Sequence, residues 1–139
     1  MKTLALAFLL VFALGTNPVN AAENSIDIQL EIDMHNAKTN SDMIRAHLKA
    51  LKKWDADMNR TYKELKRLMT PNAWKDLVKA QKAWIAYRDA QIRSLDSVYT
   101  PGSGTLWLPI KAADAMEITK TRALYLGELL MVVQEQLNY

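Results

Sequence analysis

The feature that most constrains the fold is a Thr-Pro pair, Thr70 and Pro71, which interrupts helix-type sequence extending from Thr39 to Tyr99. Threonine is favoured as the N-cap of a helix and proline at its first position, so this pair ends one helix and starts the next. The first helix begins near Thr39, which has capping-box spacing with Asp42. Apolar residues recur every three or four positions on both sides of the break. Two long helices joined by so tight a turn must form an antiparallel hairpin.

A third helix is predicted after the glycine-rich turn TPGSGT, residues 100–105. It begins around Leu106–Ile110 and continues to about Gln136. Because short connections make neighbouring helices antiparallel, residues 39–139 are predicted to form one all-α domain, an antiparallel up-down-up three-helix bundle. An extended N-terminal arm precedes it.

That arm, residues 22–38, is predicted from strand periodicity. Within it, IDIQLEIDM (26–34) alternates apolar and polar residues. A lone strand has no partner in a helical chain, so we expect an extended arm laid over the bundle or a disordered start. The alternative is self-association, in which the strand pairs with a second copy or with another protein.

Polar residues interrupt the apolar stripe of each predicted helix, and the short turns place them at about the same height in the bundle. Arginine stays charged and can pair with a carboxylate through two hydrogen bonds, so we expect a buried polar network of structural importance. The alternative is a ligand pocket or acid–base site at the same level. The predicted members are Asp55, Asn59, Gln81, Arg88, Asp89, Thr119 and Arg122.

The first 21 residues have the layout of a secretory signal peptide. Lys2 is followed by the apolar run Leu4–Leu14 and by the small-residue site Val19-Asn20-Ala21. This run is much shorter than the roughly 20 residues that span a membrane. We therefore expect cleavage after Ala21 and a periplasmic or secreted protein without membrane insertion. With no cysteine in the chain, a lipoprotein anchor and disulfides are both excluded.

Composition gives no support for catalysis or nucleic-acid binding. The formal net charge is +3, and the basic residues are spread along the chain. No Cys/His pair is possible and no Ser/His/Asp arrangement is evident, so no catalytic residue and no cofactor are predicted. Four thioether and imidazole side chains could form a copper(I) site as an alternative. Because such residues on a core stripe usually serve only to fill the core, no metal site is predicted. The four are Met34, His35, Met43 and His47.

Three strings on the predicted helices resemble a known family pattern: DADMNRTYKEL (55–65), LVKAQKAWIAYRDA (77–90) and ITKTR (118–122). They are similar to the motifs of the lysozyme inhibitor LprI-like N-terminal domain family. That family pairs D-x-x-L-N-x-x-Y-x-x-L with A-Q-R-A-W-L-x-Y-R-D-A and a later L-T-x-x-R. The resemblance extends from about Asp33 to Leu130. It implies a small, exported, all-helical bacterial domain, and the family takes its name from lysozyme inhibition.

This chain departs from the family pattern in one respect: members usually have four cysteines, and this chain has none. Here the corresponding places hold Met34, Ala46, Ile92 and Asp114 or Ala115. If those cysteines form two disulfides, each would contribute about 2–4 kcal/mol, so this chain must either rely on its aromatic core or function where disulfides form poorly. No family residue is carried over as an inhibitory site.

A partner-binding segment is predicted at Leu106, Trp107 and Leu108, beside the glycine-rich turn. A tryptophan flanked by leucines is typical of an interface hot spot, although the segment could equally cap the open end of the bundle. The first functional hypothesis is a lysozyme (muramidase) inhibitor that acts by protein–protein binding. The second is a structural or stress-related interaction module of the cell envelope, and the third a copper or small-ligand carrier.

Overall fold

The computed structural model describes residues 24–99 and 104–138, which form four helices: α1 (Ser25–Asn36), α2 (Asn40–Leu68), α3 (Pro71–Val98) and α4 (Trp107–Leu137). The predicted all-α class is confirmed, and the described residues contain no strand. The helix count differs, because the structure has four helices where three were predicted. The predicted signal peptide, residues 1–21, lies outside the described residues.

The starts of α2 and α3 follow from local hydrogen bonding. The Thr39 hydroxyl accepts from the backbone N–H of Asp42 at 3.1 Å, and the Asp42 carboxylate accepts from the backbone N–H of Thr39 at 3.0 Å. This reciprocal capping box satisfies donors that a helix start leaves free. At α3 the Thr70 hydroxyl accepts from the backbone N–H of Ala73 at 3.4 Å, and Pro71 occupies the first turn. These polar caps place both helix starts where the sequence predicts them.

The extended arm predicted over residues 22–38 is wrong, because this segment contains α1. Asn24 caps the helix by accepting from the backbone N–H of Ile26 at 2.9 Å. Ile26 and Leu30 pack against the core, whereas Ile28 and Ile32 are exposed. When every second residue is apolar, every fourth residue is apolar too, and residues four apart lie on the same face of a helix. The alternating pattern is therefore also compatible with an α-helix that has one apolar face. Because the segment has no second strand to pair with, it forms its backbone hydrogen bonds within a helix. The prediction of self-association through a strand therefore loses its basis.

Two ion pairs accompany the packing of α1. The Asp33 carboxylate lies 2.6 Å from Lys49 Nζ on α2, and the Asp27 carboxylate lies 3.0 Å from Lys120 Nζ on α4. The Lys120 ammonium also lies 5.7 Å from the ring centroid of Trp54, the largest fully buried side chain. Ion pairs near the two ends of α1 thus join it to both helices of the pair that contains the core.

That pair is α2 and α4, which approach each other more closely than any other helices and run parallel. At their starts the Asn40 side-chain amide donates to the Thr105 carbonyl at 3.0 Å. Close approach is possible because several buried side chains of both helices are small, notably Ala50 on α2 and Ala123 on α4. Buried positions on α4 alternate in steps of three and four, as in coiled-coil packing: Pro109, Ala112, Met116, Thr119, Ala123 and Leu126.

The buried face of α2 is rotated from the stripe that hydrophobicity predicts. That stripe passes through Leu51 and Asp55, which instead line grooves against α3. Some buried positions lie one residue earlier, as Ala50 and Trp54 do, whereas Met58 and Leu65 are buried on the predicted stripe itself. Because alanine adds little to a hydrophobic pattern, a seam built from small residues is weakly marked in sequence.

The remaining long helix, α3, stands further from the α2–α4 pair and buries only Leu77, Gln81 and Leu95. Large side chains bridge the space, as between Tyr62 and Trp74, whose ring centroids are 4.7 Å apart. Grooves therefore run along both sides of α3, and these grooves position the sites described next.

Candidate functional site

The end of the bundle where α3 finishes and α4 begins carries an exposed apolar surface, here called the apolar tip. Leu106 is 64% exposed and Trp107 40%. Contiguous exposed apolar surface is uncommon on soluble proteins and marks binding surfaces. The structure thus exposes all three residues of the predicted partner-binding segment. The tip consists of Val98, Leu106, Trp107, Leu108 and Ile110.

The tip is held in place by contacts behind it. The Trp107 ring stacks on Tyr99 with centroids 6.0 Å apart and planes 21° from parallel. The Tyr99 hydroxyl donates to the Asp114 carboxylate at 2.6 Å. This hydrogen bond raises the pKa of Tyr99, with smaller contributions from desolvation and from the negative charge of Asp114. An ion pair between Lys111 and Asp96 also joins α4 to α3. The tryptophan is therefore preorganised, which lowers the entropy cost of binding through it.

The seven predicted polar residues do not form one network. Gln81 and Arg122 do meet: the Gln81 carbonyl oxygen accepts from Arg122 Nε at 2.9 Å. The Gln81 amide nitrogen contacts the Met58 sulfur at 3.8 Å, and Gln81 is buried. Thr119 is also buried, on the α4 face that packs against the core.

The other four residues pair locally. Arg88 Nε and Nη2 donate to the neighbouring Asp89 carboxylate at 2.9 and 2.8 Å. The Asn59 amide donates to the carbonyl and carboxylate of Asp55 at 2.8 and 3.1 Å. Asn59 is exposed, so its assignment to a buried network is wrong. Because α3 stands away from α2, these side chains find partners on their own helix rather than across the groove.

A groove between α3 and α4, the α3–α4 groove, encloses about 580 Å³. Its walls include Trp84 and Tyr87 from α3 and Ile118 and Tyr125 from α4, and Arg122 also lines it. Sites for small ligands in proteins commonly have volumes of this order. The sequence placed Arg122 in the polar network, with a ligand pocket there as the alternative, but it did not indicate the aromatic walls of this groove, because no single stripe contains residues from facing sides of two helices.

Arg122 has an unusual environment in this groove. Its guanidinium carbon lies 5.9 Å from the Trp84 centroid and 5.2 Å from the Tyr125 centroid. Its Nη2 atom is buried and has no hydrogen-bond partner among residues 24–99 and 104–138. Desolvation lowers the pKa of Arg122, although arginine stays protonated at any physiological pH. The groove thus contains a cation with an unused donor.

Among the residues weighed for a copper site, the two histidines have different surroundings. Within the described part of the chain, no group of three or more His, Cys, Asp or Glu side chains could hold a metal ion. His47 is partly buried with an unpaired Nδ1, and desolvation lowers its pKa, whereas His35 is exposed.

The described helices also include none that is long and apolar enough to cross a membrane.

A family model described as lysozyme inhibitor LprI matches residues 32–126, from within α1 to the buried Leu126 of α4. No curated protein and no solved structure matches the chain. The matched region includes the apolar tip and all of the residues that line the α3–α4 groove. Since it covers well over half of the sequence, the chain belongs to the lysozyme inhibitor LprI family.

Proposed function

We propose that this protein is an exported inhibitor of a lysozyme or other muramidase, and that it acts by protein–protein binding through the apolar tip. Membership of an inhibitor family supports the activity. The observation that carries the choice of surface is the exposure of Leu106, Trp107 and Leu108 at one end of the molecule. A protruding apolar end can enter the concave cleft of an enzyme and exclude its substrate.

The tip also has the chemistry of a binding hot spot. Tryptophan is enriched among residues that dominate binding energy, and neighbouring apolar residues exclude water from such an anchor. Trp107 is already stacked on Tyr99 before any partner arrives. The protein has a formal net charge of only +3, so affinity would come from this apolar contact more than from long-range attraction.

The test is a muramidase assay with and without the purified protein, using lysozymes of several types at varied salt. Stoichiometric inhibition of at least one enzyme is expected. Trp107→Ala should weaken inhibition by about 30-fold or more, since a hot-spot truncation costs about 2 kcal/mol. Absence of inhibition at large molar excess over every lysozyme would refute the proposal.

A matched pair of leucines locates the binding surface. Leu106 and Leu137 are 64% and 61% exposed and lie near opposite ends of α4. Leu106→Ala is expected to weaken inhibition and Leu137→Ala to leave it unchanged. Equal effects of the two substitutions would exclude the tip as the contact surface.

Export is tested separately by expressing the full chain in a bacterium and sequencing the N-terminus of the protein in the periplasmic fraction. A start at Ala22 is expected from the signal-peptide pattern. Retention of Met1 on all of the protein would contradict export by this route.

A further inference from the structure

We propose that the α3–α4 groove binds a short peptide in extended conformation, with its C-terminal carboxylate on Arg122 and its N-terminal ammonium beside Asp114 and Glu117. This site is separate from the five tip residues, so the inference goes beyond lysozyme inhibition.

The carboxylate is inferred from the positive charge of Arg122, which lines the groove without a carboxylate partner in the described part of the chain. The guanidinium is held by one hydrogen bond to Gln81 and by the faces of Trp84 and Tyr125, but no described carboxylate pairs with it. Arg122 lines the groove as a positive charge without an ion-pair partner among the described residues, so a carboxylate that enters the groove gains a charge-assisted interaction with it. The fixed aromatic contacts keep the guanidinium in position for it.

The ammonium is inferred from two acidic residues at the other end of the groove. Asp114 and Glu117 line it and precede Arg122 on α4 by eight and five residues. At the helical rise of about 1.5 Å per residue, the opposite charges are separated by about 7 to 12 Å along the axis. Glu117 is exposed and forms no ion pair among the described residues. The groove is therefore bipolar, negative near the tip and positive at Arg122.

The separation of the charges sets the length of the ligand. An extended chain spans about 3.3–3.6 Å per residue, so the two termini of a tripeptide or tetrapeptide match the two ends of the groove. The apolar walls formed by Trp84, Leu95 and Ile118 suit apolar side chains, and the amide of Gln91 can bond the peptide backbone.

The first experiment is calorimetric titration of the intact protein with trileucine bearing free termini. Saturable binding is expected, and amidation of the C-terminus or acetylation of the N-terminus should each weaken it by about tenfold, equivalent to about 1.4 kcal/mol. No binding of trileucine at millimolar concentration, or equal binding of the free and doubly capped peptides, would overturn the proposal. Saturable binding of the neutral trimer of N-acetylglucosamine in its place would make the groove a glycan site and also overturn it.

Variants on the exposed surface of α4 test the orientation without disturbing the core. Glu117→Gln should weaken binding of free trileucine and have little further effect on the N-acetylated peptide. Glu128→Gln, an exposed glutamate outside the groove, is the control and should change neither. If Glu117→Gln and Glu128→Gln bind free trileucine equally, the orientation is refuted.

The two proposals fail independently. Leu106→Ala should bind trileucine as the unmodified protein does, and Glu117→Gln should retain muramidase inhibition. Loss of trileucine binding in Leu106→Ala, in a variant whose thermal unfolding is unchanged, would show that tip and groove form one site and would contradict this inference.

Discussion

From the close contact between α2 and α4 we predict that enlarging an apolar core residue destabilises the protein. Ala123 is 1% exposed and lies in the core cluster with Trp54, Met58 and Leu126. Replacing it with leucine adds three carbon atoms. If the helices left room, burying these carbons would stabilise the fold by about 0.8 kcal/mol each, or roughly 2.4 kcal/mol in total.

The packing predicts the opposite sign. Close approach of α2 and α4 depends on small side chains, so the larger residue must force the helices apart or adopt a strained rotamer. Such overpacking typically costs about 1–3 kcal/mol. An interface with room for leucine and a tightly packed one therefore predict free energies of unfolding for the variant that differ by roughly 3–5 kcal/mol, which far exceeds experimental error.

Urea denaturation of Ala123→Leu measures this difference. The control is Ala90→Leu, at an exposed position of α3, where exchange of two good helix formers should change stability by less than about 0.5 kcal/mol. A variant Ala123→Leu that is as stable as the unmodified protein, or more stable, would refute the close α2–α4 seam.

Three further predictions concern single side chains. Gly127→Ala should raise the free energy of unfolding by about 0.5–1 kcal/mol in thermal melts, because Gly127 is inside α4 and an added Cβ meets no atom within 4 Å. Desolvation lowers the pKa of His47, so its contribution to stability is full above about pH 6.5 and is lost as pH falls through the folded pKa; urea titrations between pH 5 and 8 should show that stability falls toward acid pH and that His47→Gln reduces this slope. The pKa of Tyr99 is raised, so its effect on stability has the opposite pH dependence: the hydrogen bond to Asp114 contributes fully to stability below about pH 10 and is lost as pH rises through the folded pKa. Tyr99→Phe should therefore reduce the decrease in stability measured at alkaline pH.

The starts of α2 and α3 could be predicted because they are encoded locally. The Thr39 box and the Thr70-Pro71 pair act within one turn of chain, so no knowledge of the rest of the fold is needed. The helix α1 could not be predicted in this way, since its alternating pattern fits a strand and a helix equally. What decides between them is the face offered by α2 and α4, onto which Ile26 and Leu30 pack.

The sites show a similar division. Exposure of Trp107 follows from its place beside a turn. The heights of helices joined by short loops place Gln81 and Arg122 in one predicted polar network, although they pair Arg122 with Arg88 and not with Gln81. The burial of Trp54 and the separate pairing of Arg88 with Asp89 depend on how each helix is rotated and spaced. Rotation and spacing are set by the shapes of several side chains together, which a stripe drawn on one helix does not contain.

The parallel pairing of α2 and α4 has a consequence for the order of folding. The Asn40 amide and the Thr105 carbonyl that it contacts are 65 positions apart in sequence, whereas the hairpin of α2 and α3 is local. Contacts between distant positions form late, because the intervening chain loses entropy when its ends meet. A chain emerging N-terminus first can form α1, α2 and α3, but the cavity for Trp54 closes only after α4 arrives. The last quarter of the sequence is therefore the part that commits the whole molecule to its native state.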